Sequence, residues 1–245
     1  MDFSFTEEQQ GLAQVVRDLL AAKCTAEHVR AATEAGGDVP GLHDALAQMG
    51  VVAILQAEES GGLGLGVVEA CLALHELGFA GAPGRWLEVL LTDHATANSD
   101  QDRALRYTTG AAAMLCGLAR RMLDLALQHV KAREQFGRPV GSFQAVQHHL
   151  ADARLKIEFA APMVWRAAFE LDAASPQAAV AAWSAKSLAT EAALLTATKS
   201  LQCHGAMGYA HEHDLQLFMK QVWALAPQHG DAAACRRHIA TALDL

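Results

Sequence analysis

The chain has 245 residues, 52% of them hydrophobic, enough to bury the core of one large or two small domains. Its formal charge is −8 with no basic stripe, which excludes the usual nucleic-acid binder, and no apolar run reaches the roughly 18 residues of a membrane span. Aromatics make up only 6%, a composition that suits helix packing better than a β-sandwich.

The opening stretch, MDFSFTEEQQ, is acidic where a secretory signal needs positive charge, so a cytoplasmic location is expected. Thr6 and Gln9 have capping-box spacing, and Glu7 and Glu8 sit at the positive end of the helix dipole. Leu12, Val15, Val16, Leu19 and Leu20 then recur at helical spacing. Pro40 opens a shorter helix that Gly50 stops. Glycines 61, 62, 64 and 66 form a turn before the next helix. Such a turn can cradle a phosphate, but we read it as a tight connection. VVEACLALHELGF reads as a helix ending at Gly78, and APGRWLEVLLTDHA as a short helical piece. The five cysteines, at 24, 71, 116, 203 and 235, show no CxxC spacing and read as free core thiols.

Residues 92–107, TDHATANSDQDRALRY, are polar and unperiodic, and we take them as a bridge between a helical region at 1–91 and a second one at 108–245. Long helices are expected over roughly 109–134, 142–173 and 176–203, with a shorter set over 213–243. Ser175-Pro176 is a helix start, Gly205 a stop, and Pro162 a kink inside a long helix. The fold class is therefore all-α, with an antiparallel bundle in the C-terminal part. Its helix AAVAAWSAKSLATEAALLTATKSL is apolar on several faces, which points to burial by another chain.

At the end of the first long helix, REQFGRPVGSFQ offers a guanidinium at Arg133, amides at Gln135 and Gln144, and a ring at Phe136. Arg133 can be read simply as a complement to the negative end of a helix. The group as a whole suits a nucleotide: the guanidinium for a phosphate, the amides for polar edges, the ring for stacking. His211 and His213 lie two apart with no third ligand evident in sequence, so no metal site is expected.

REQFGRPVGSFQAVQHHLAD resembles the C-terminal signature of acyl-CoA dehydrogenases. MDFSFTEEQQGLAQVVRDLL and EESGGLGLG resemble their N-terminal helical domain, and LQCHGAMGYAHEHDLQLFMKQ is similar to their later glycine segment. The resemblance implies FAD shared across subunits, with Arg133 on the pyrophosphate and Gln135, Phe136 and Gln144 beside it. Gln202, Gly205 and Gly208 would approach the adenosine side, and Ala206 stands where the family usually has a second glycine. The family's middle β-barrel is missing: residues 92–107 are too few for it. Both family positions for the glutamate base also lack a carboxylate. One reads WALAPQHGD, with His229, and the other falls near Tyr107.

Two functions follow as expectations. The first is a subunit that contributes to FAD binding in α,β-dehydrogenation of an acyl-CoA, as a homo-oligomer or with a β-barrel-containing partner chain that supplies the base. The second is a flavin-free lyase, isomerase or cyclase using His229, Tyr107 or Glu158, or a non-catalytic scaffold.

Overall fold

The computed structural model describes residues 4–92 and 99–244. Ten α-helices run through them in the order α1 (Glu7–Lys23), α2 (Ala26–Ala35), α3 (Leu42–Gln48), α4 (Val67–Ala80), α5 (Trp86–Leu91), α6 (Asp100–Ala132), α7 (Gln144–Asp172), α8 (Ala178–His204), α9 (Leu215–Leu225) and α10 (Ala232–Ala242). Among the described residues the strands are β1 (Glu134–Gln135) and β2 (Arg138–Pro139), an antiparallel pair. The all-α reading holds, and no β-domain stands between the helical regions of the described residues. The miniature hairpin was not expected. It forms where Phe136 (φ 54°) and Gly137 (φ 76°) reverse the chain.

Helix α1 begins as its sequence dictates: the Gln9 N–H donates to Thr6 Oγ1 at 3.2 Å, and the Thr6 N–H donates to Gln9 Oε1 at 3.0 Å. Helices α6, α7 and α8 (33, 29 and 27 residues) pack together as the bundle, joined by short connections. Helix α4 lies against α6 and α7, and α1 lies outside it.

Two glycines set the α4–α6 crossing. A Cβ on Gly78 would meet the Met114 carbonyl oxygen at 2.3 Å, and one on Gly117 would meet the His75 carbonyl oxygen at 2.0 Å. The two backbones touch, so neither position accepts a side chain. This corrects the expectation that α4 ends at Gly78. The helix continues to Ala80 and stops at Gly81, whose φ of 67° is the left-handed cap.

The glycine turn before α4 is explained by Asp172, the last residue of α7. Its carboxylate accepts from Val67 N at 2.7 Å and from Val68 N at 3.1 Å, capping α4 from another helix. A Cβ at Gly66 would lie 2.5 Å from the same carboxylate. Any anion site at the start of α4 is thus already filled by the protein's own aspartate. A second tie joins α1 to α4: Arg17 donates twice to the buried Glu76, both bonds at 2.9 Å. Burial alone would raise the Glu76 carboxyl, but bonds from His75 and Arg17 outweigh it and hold the pKa at about 2.

Two further expectations are corrected. The polar stretch is not all connection, because α6 begins at Asp100 behind the cap Ser99; residues 93–98 lie outside the described residues. Its polar character there is that of a helix start carrying an exposed ion pair, Arg103–Asp100, and a largely buried one, Arg106–Asp102. Most faces of helix α8 are covered by α6, α7 and α10 of the same chain, with Leu194 left 38% exposed. A larger group of open apolar residues lies on α7, where Leu155, Phe159 and Phe169 share one face.

The glycine crossing predicts an asymmetry in stability. Gly117→Ala forces the α4 and α6 backbones apart and should lower the unfolding free energy by about 1–3 kcal/mol. Gly11→Ala, on α1 with nothing within 4 Å of the new Cβ, should be neutral or stabilise by about 0.5–1 kcal/mol. Urea denaturation of both variants checks this.

Candidate functional site

The residues expected to hold a nucleotide fall into two groups. Arg133, Gln135, Gln202 and Gly205 line a single open pocket of about 330 Å³, together with His129, His149 and the first turn of α7 at Ala145 and Val146. Phe136 lies outside the lining, 91% exposed at the hairpin tip, with its ring edge-on to Phe143 at 6.1 Å. Gln144 opens α7 and is exposed. Gly208 is buried, and a Cβ there would meet Leu201 Cδ1 at 2.8 Å, so packing within the chain accounts for that glycine.

Helix ends build this pocket. Helix α6 stops at Arg133, whose backbone N–H closes onto the His129 carbonyl and whose guanidinium has no partner among the described residues. Helix α7 starts with no side-chain cap; the Val146 N–H closes onto the Phe143 carbonyl at 3.0 Å, while that of Ala145, which lines the same pocket, is left open. A guanidinium beside an uncapped helix N-terminus favours an anion, and both favour a phosphate in particular. Gly205, at the end of α8, has φ 60°, and a Cβ there would meet nothing within 4 Å, so a ligand can approach its backbone.

The two residues expected at or near the base positions, Tyr107 and His229, also meet. The rings of Tyr107 and His229 lie 5.4 Å apart, and Tyr107 Oη is 2.5 Å from Thr92 Oγ1. His229 has φ 55° in the α9–α10 connection, and its carbonyl accepts from Thr108 Oγ1 at 3.2 Å. Burial, followed by the nearby charges of Glu88 (raising) and Lys186 (lowering), leaves the His229 pKa below its ordinary value, so the ring is neutral near pH 7. Glu158 stands apart on α7, paired with Arg154 at 2.8 Å.

Lys186 organises this end of the molecule. It is fully buried in α8, and its ammonium donates to the carbonyls of Ala226 (2.8 Å) and Gly230 (2.9 Å) and to Thr190 Oγ1 (3.2 Å). It therefore pins the segment that carries His229. A lysine amid alanines in an apolar helix gave no sequence signal of that role. Two histidines also escaped notice: His129 and His204 cluster in space with His213, while His211 does not join them.

The Tyr107–His229 cluster and the Arg133 pocket sit near opposite ends of α6. From Tyr107 to Arg133 the helix rises about 39 Å at about 1.5 Å per residue, farther than one dinucleotide extends.

Residues 105–243 match the family described as acyl-CoA dehydrogenase, C-terminal domain, and residues 6–98 match acyl-CoA dehydrogenase, N-terminal domain. The chain belongs to the acyl-CoA dehydrogenase family. Over 134 residues it is 38% identical to a 3-sulfinopropanoyl-CoA desulfinase of Paraburkholderia xenovorans (strain LB400), covering 55% of this chain and 34% of that protein. Over 140 residues it is 37% identical to acyl-CoA dehydrogenase IpdE2 of Mycolicibacterium smegmatis (strain ATCC 700084 / mc(2)155), covering 56% of this chain and 41% of that protein. The chain spans between 34% and 41% of the length of these curated relatives. Its fold matches a chain of the ChsE4-ChsE5 complex from Mycobacterium tuberculosis with a TM-score of 0.89 at 20% identity, covering 100% of this chain and 99% of that one. At that identity the likeness is one of fold. Within the acyl-CoA dehydrogenase architecture, this chain keeps both helical regions.

Lys186 yields a pH prediction. Burial, opposed by Cys235 and Asp231, lowers its pKa from 10.5 to about 8. Below pH 8 the amine is charged in both states. Between about 8 and 10.5 only the unfolded chain keeps the proton, so the stability Lys186 contributes rises with pH. Unfolding free energies of wild type and Lys186→Met, compared from pH 7 to 10.5, should diverge in favour of wild type by on the order of 3 kcal/mol.

Proposed function

We propose that this chain is a flavin-nucleotide-binding subunit of an acyl-CoA dehydrogenase, acting with a second chain that supplies the β-barrel and the carboxylate base. The observation that carries the reading is the Arg133 pocket: an unpartnered guanidinium and an uncapped helix start line one cavity with Gln135, Gln202 and Gly205. These residues fit the diphosphate and adenosine portion of FAD. Bound flavin supplies a hydride acceptor for the β-hydrogen of an acyl-CoA.

Each residue has a part in that reading. Arg133 holds the pyrophosphate by charge-assisted, forked hydrogen bonds, and Gln202 with the Gly205 backbone meets the adenosine side. Phe136 and Gln144, exposed beside the pocket, face the neighbouring subunit. The apolar α7 face of Leu155, Phe159 and Phe169 is open for subunit contact. The pocket and the Tyr107–His229 cluster are too far apart to serve one flavin, which favours active sites assembled from two chains. The ChsE4-ChsE5 structure is, by name, a complex, and one of its chains has this fold.

A second reading rests on the contact between Tyr107 and His229. A neutral imidazole next to a phenol can move a proton, which would suit a flavin-free lyase, isomerase or cyclase. The relative named a 3-sulfinopropanoyl-CoA desulfinase carries a reaction name other than dehydrogenation.

FAD binding separates the two. Removing one charged hydrogen-bonding group costs about 1.5–3 kcal/mol, so Arg133→Ala should weaken FAD about tenfold to a hundredfold. Titration of both proteins, alone and co-purified with a barrel-bearing subunit, should show weak binding by the lone chain and a sharp gain with the partner. Equal affinity of wild type and variant would favour the flavin-free reading. Because neither base position bears a carboxylate, the isolated chain should not dehydrogenate a panel of acyl-CoAs in a dye-reduction assay. Turnover by the lone chain would contradict the partner-supplied base.

A further inference from the structure

The C-terminal ends of α6 and α8 converge on three imidazoles. His129 stands in the last turn of α6, His204 is the last residue of α8, and His213 lies just before α9. The His204 ring centroid is 4.5 Å from each of the other two, and His129 and His213 are 6.5 Å apart.

His204 decides what this cluster can do. It is 4% exposed, and its Nδ1 lies 2.7 Å from the Ser200 carbonyl oxygen. A carbonyl only accepts, so Nδ1 carries the proton and Nε2 presents a bare lone pair. That Nε2 is buried and has no hydrogen-bond partner among the described residues. A buried acceptor left empty costs free energy, and such a group calls for an explanation. The Nδ1–H to carbonyl bond is also the contact that fixes the tautomer of metal-binding histidines.

We propose that His129, His204 and His213 bind one zinc-class divalent cation. The candidate ligand atoms all lie within 4.8 Å of one another. A point between three such atoms is at most roughly 2.8 Å from each, against about 2.0–2.1 Å for a zinc–imidazole bond, so movements under about 1 Å close the site. His129 and His213 are only half-buried, which leaves them room to move. Imidazole ligands suit zinc, copper, nickel and cobalt, and three of them leave a fourth position for water. Two helix C-termini bring partial negative charge to the same place.

Two contacts oppose binding. The Leu215 N–H donates to His213 Nδ1 at 3.2 Å. Coordination through Nε2 moves the proton onto Nδ1 and releases that N–H, which lies in the first turn of α9, where helices leave donors free. Arg133 is the nearby cation; its side chain is exposed, so water screens it. The proposal does not depend on the flavin reading.

The test is metal binding by the folded full chain after removal of adventitious metal with EDTA and dialysis. Titration with zinc chloride by calorimetry should show one site of micromolar affinity or tighter, and cobalt(II) should give the visible absorption of a tetrahedral site. His204→Ala and His129→Ala should each weaken zinc at least a hundredfold, while His211→Ala and Cys203→Ser, which remove neighbouring potential ligands, should not. Circular dichroism checks that the variants fold, and the half-buried His129 keeps the test open if His204→Ala does not. Zinc weaker than millimolar in wild type, unchanged binding in His129→Ala, or loss in Cys203→Ser alone would overturn the site.

Discussion

Everything else in this molecule depends on the contact of α4 with α6 at Gly78 and Gly117, where two helix backbones meet with no side chain between them. This contact joins the N-terminal helices to the bundle. Such packing is available only where both helices present glycine, and it gives dispersion contact over whole turns of backbone. Asp172 reinforces the joint by capping α4 from the end of α7, and Arg17 with Glu76 extends it outward to α1. The two helical regions are therefore held together by contacts of their own, with no β-domain between them among the described residues.

That joint fixes α6 as the axis along which the chemistry is laid out. One end carries Tyr107, against His229; the other carries His129 and Arg133, facing the open pocket. Each end is shaped by a different device. At the first, the buried ammonium of Lys186 gathers two carbonyls of the α9–α10 connection and so positions His229. At the second, the stop of α6, the uncapped start of α7 and the end of α8 meet, and free helix-end groups accumulate there. The separation of the two ends along a rigid helix is what makes a composite site between chains the natural reading of this one.

Much of this could be read in the sequence because it is local. The capping box of Thr6 and Gln9, the stop at Gly205 and the position of Arg133 at a helix end all depend on neighbours a few residues away. The errors arose where distance decides. A glycine that ends a helix and a glycine that admits another backbone look alike in sequence, so Gly78 read as a stop. The residues from Asp100 onward lack an apolar stripe because ion pairs, one of them largely buried, occupy the start of α6, and they read as a bridge. Most apolar faces of α8 are covered by three other helices of the same chain, while the open face on α7 gave no separate signal. His129, His204 and His213 are spread over 85 positions and come together only because α6 and α8 end at the same place.

The central claim is that the pocket at the C-terminal end of α6 takes a nucleotide diphosphate. The most direct measurement is the set of backbone amide shifts that ADP and FAD perturb in the isotopically labelled chain, a method that tolerates weak binding. The account predicts shifts confined to residues 129–149 and 202–205, with the Arg133 and Ala145 amides among the largest and those around Tyr107 and His229 unmoved. Perturbations centred on Tyr107 and His229, or none at millimolar nucleotide, would contradict it.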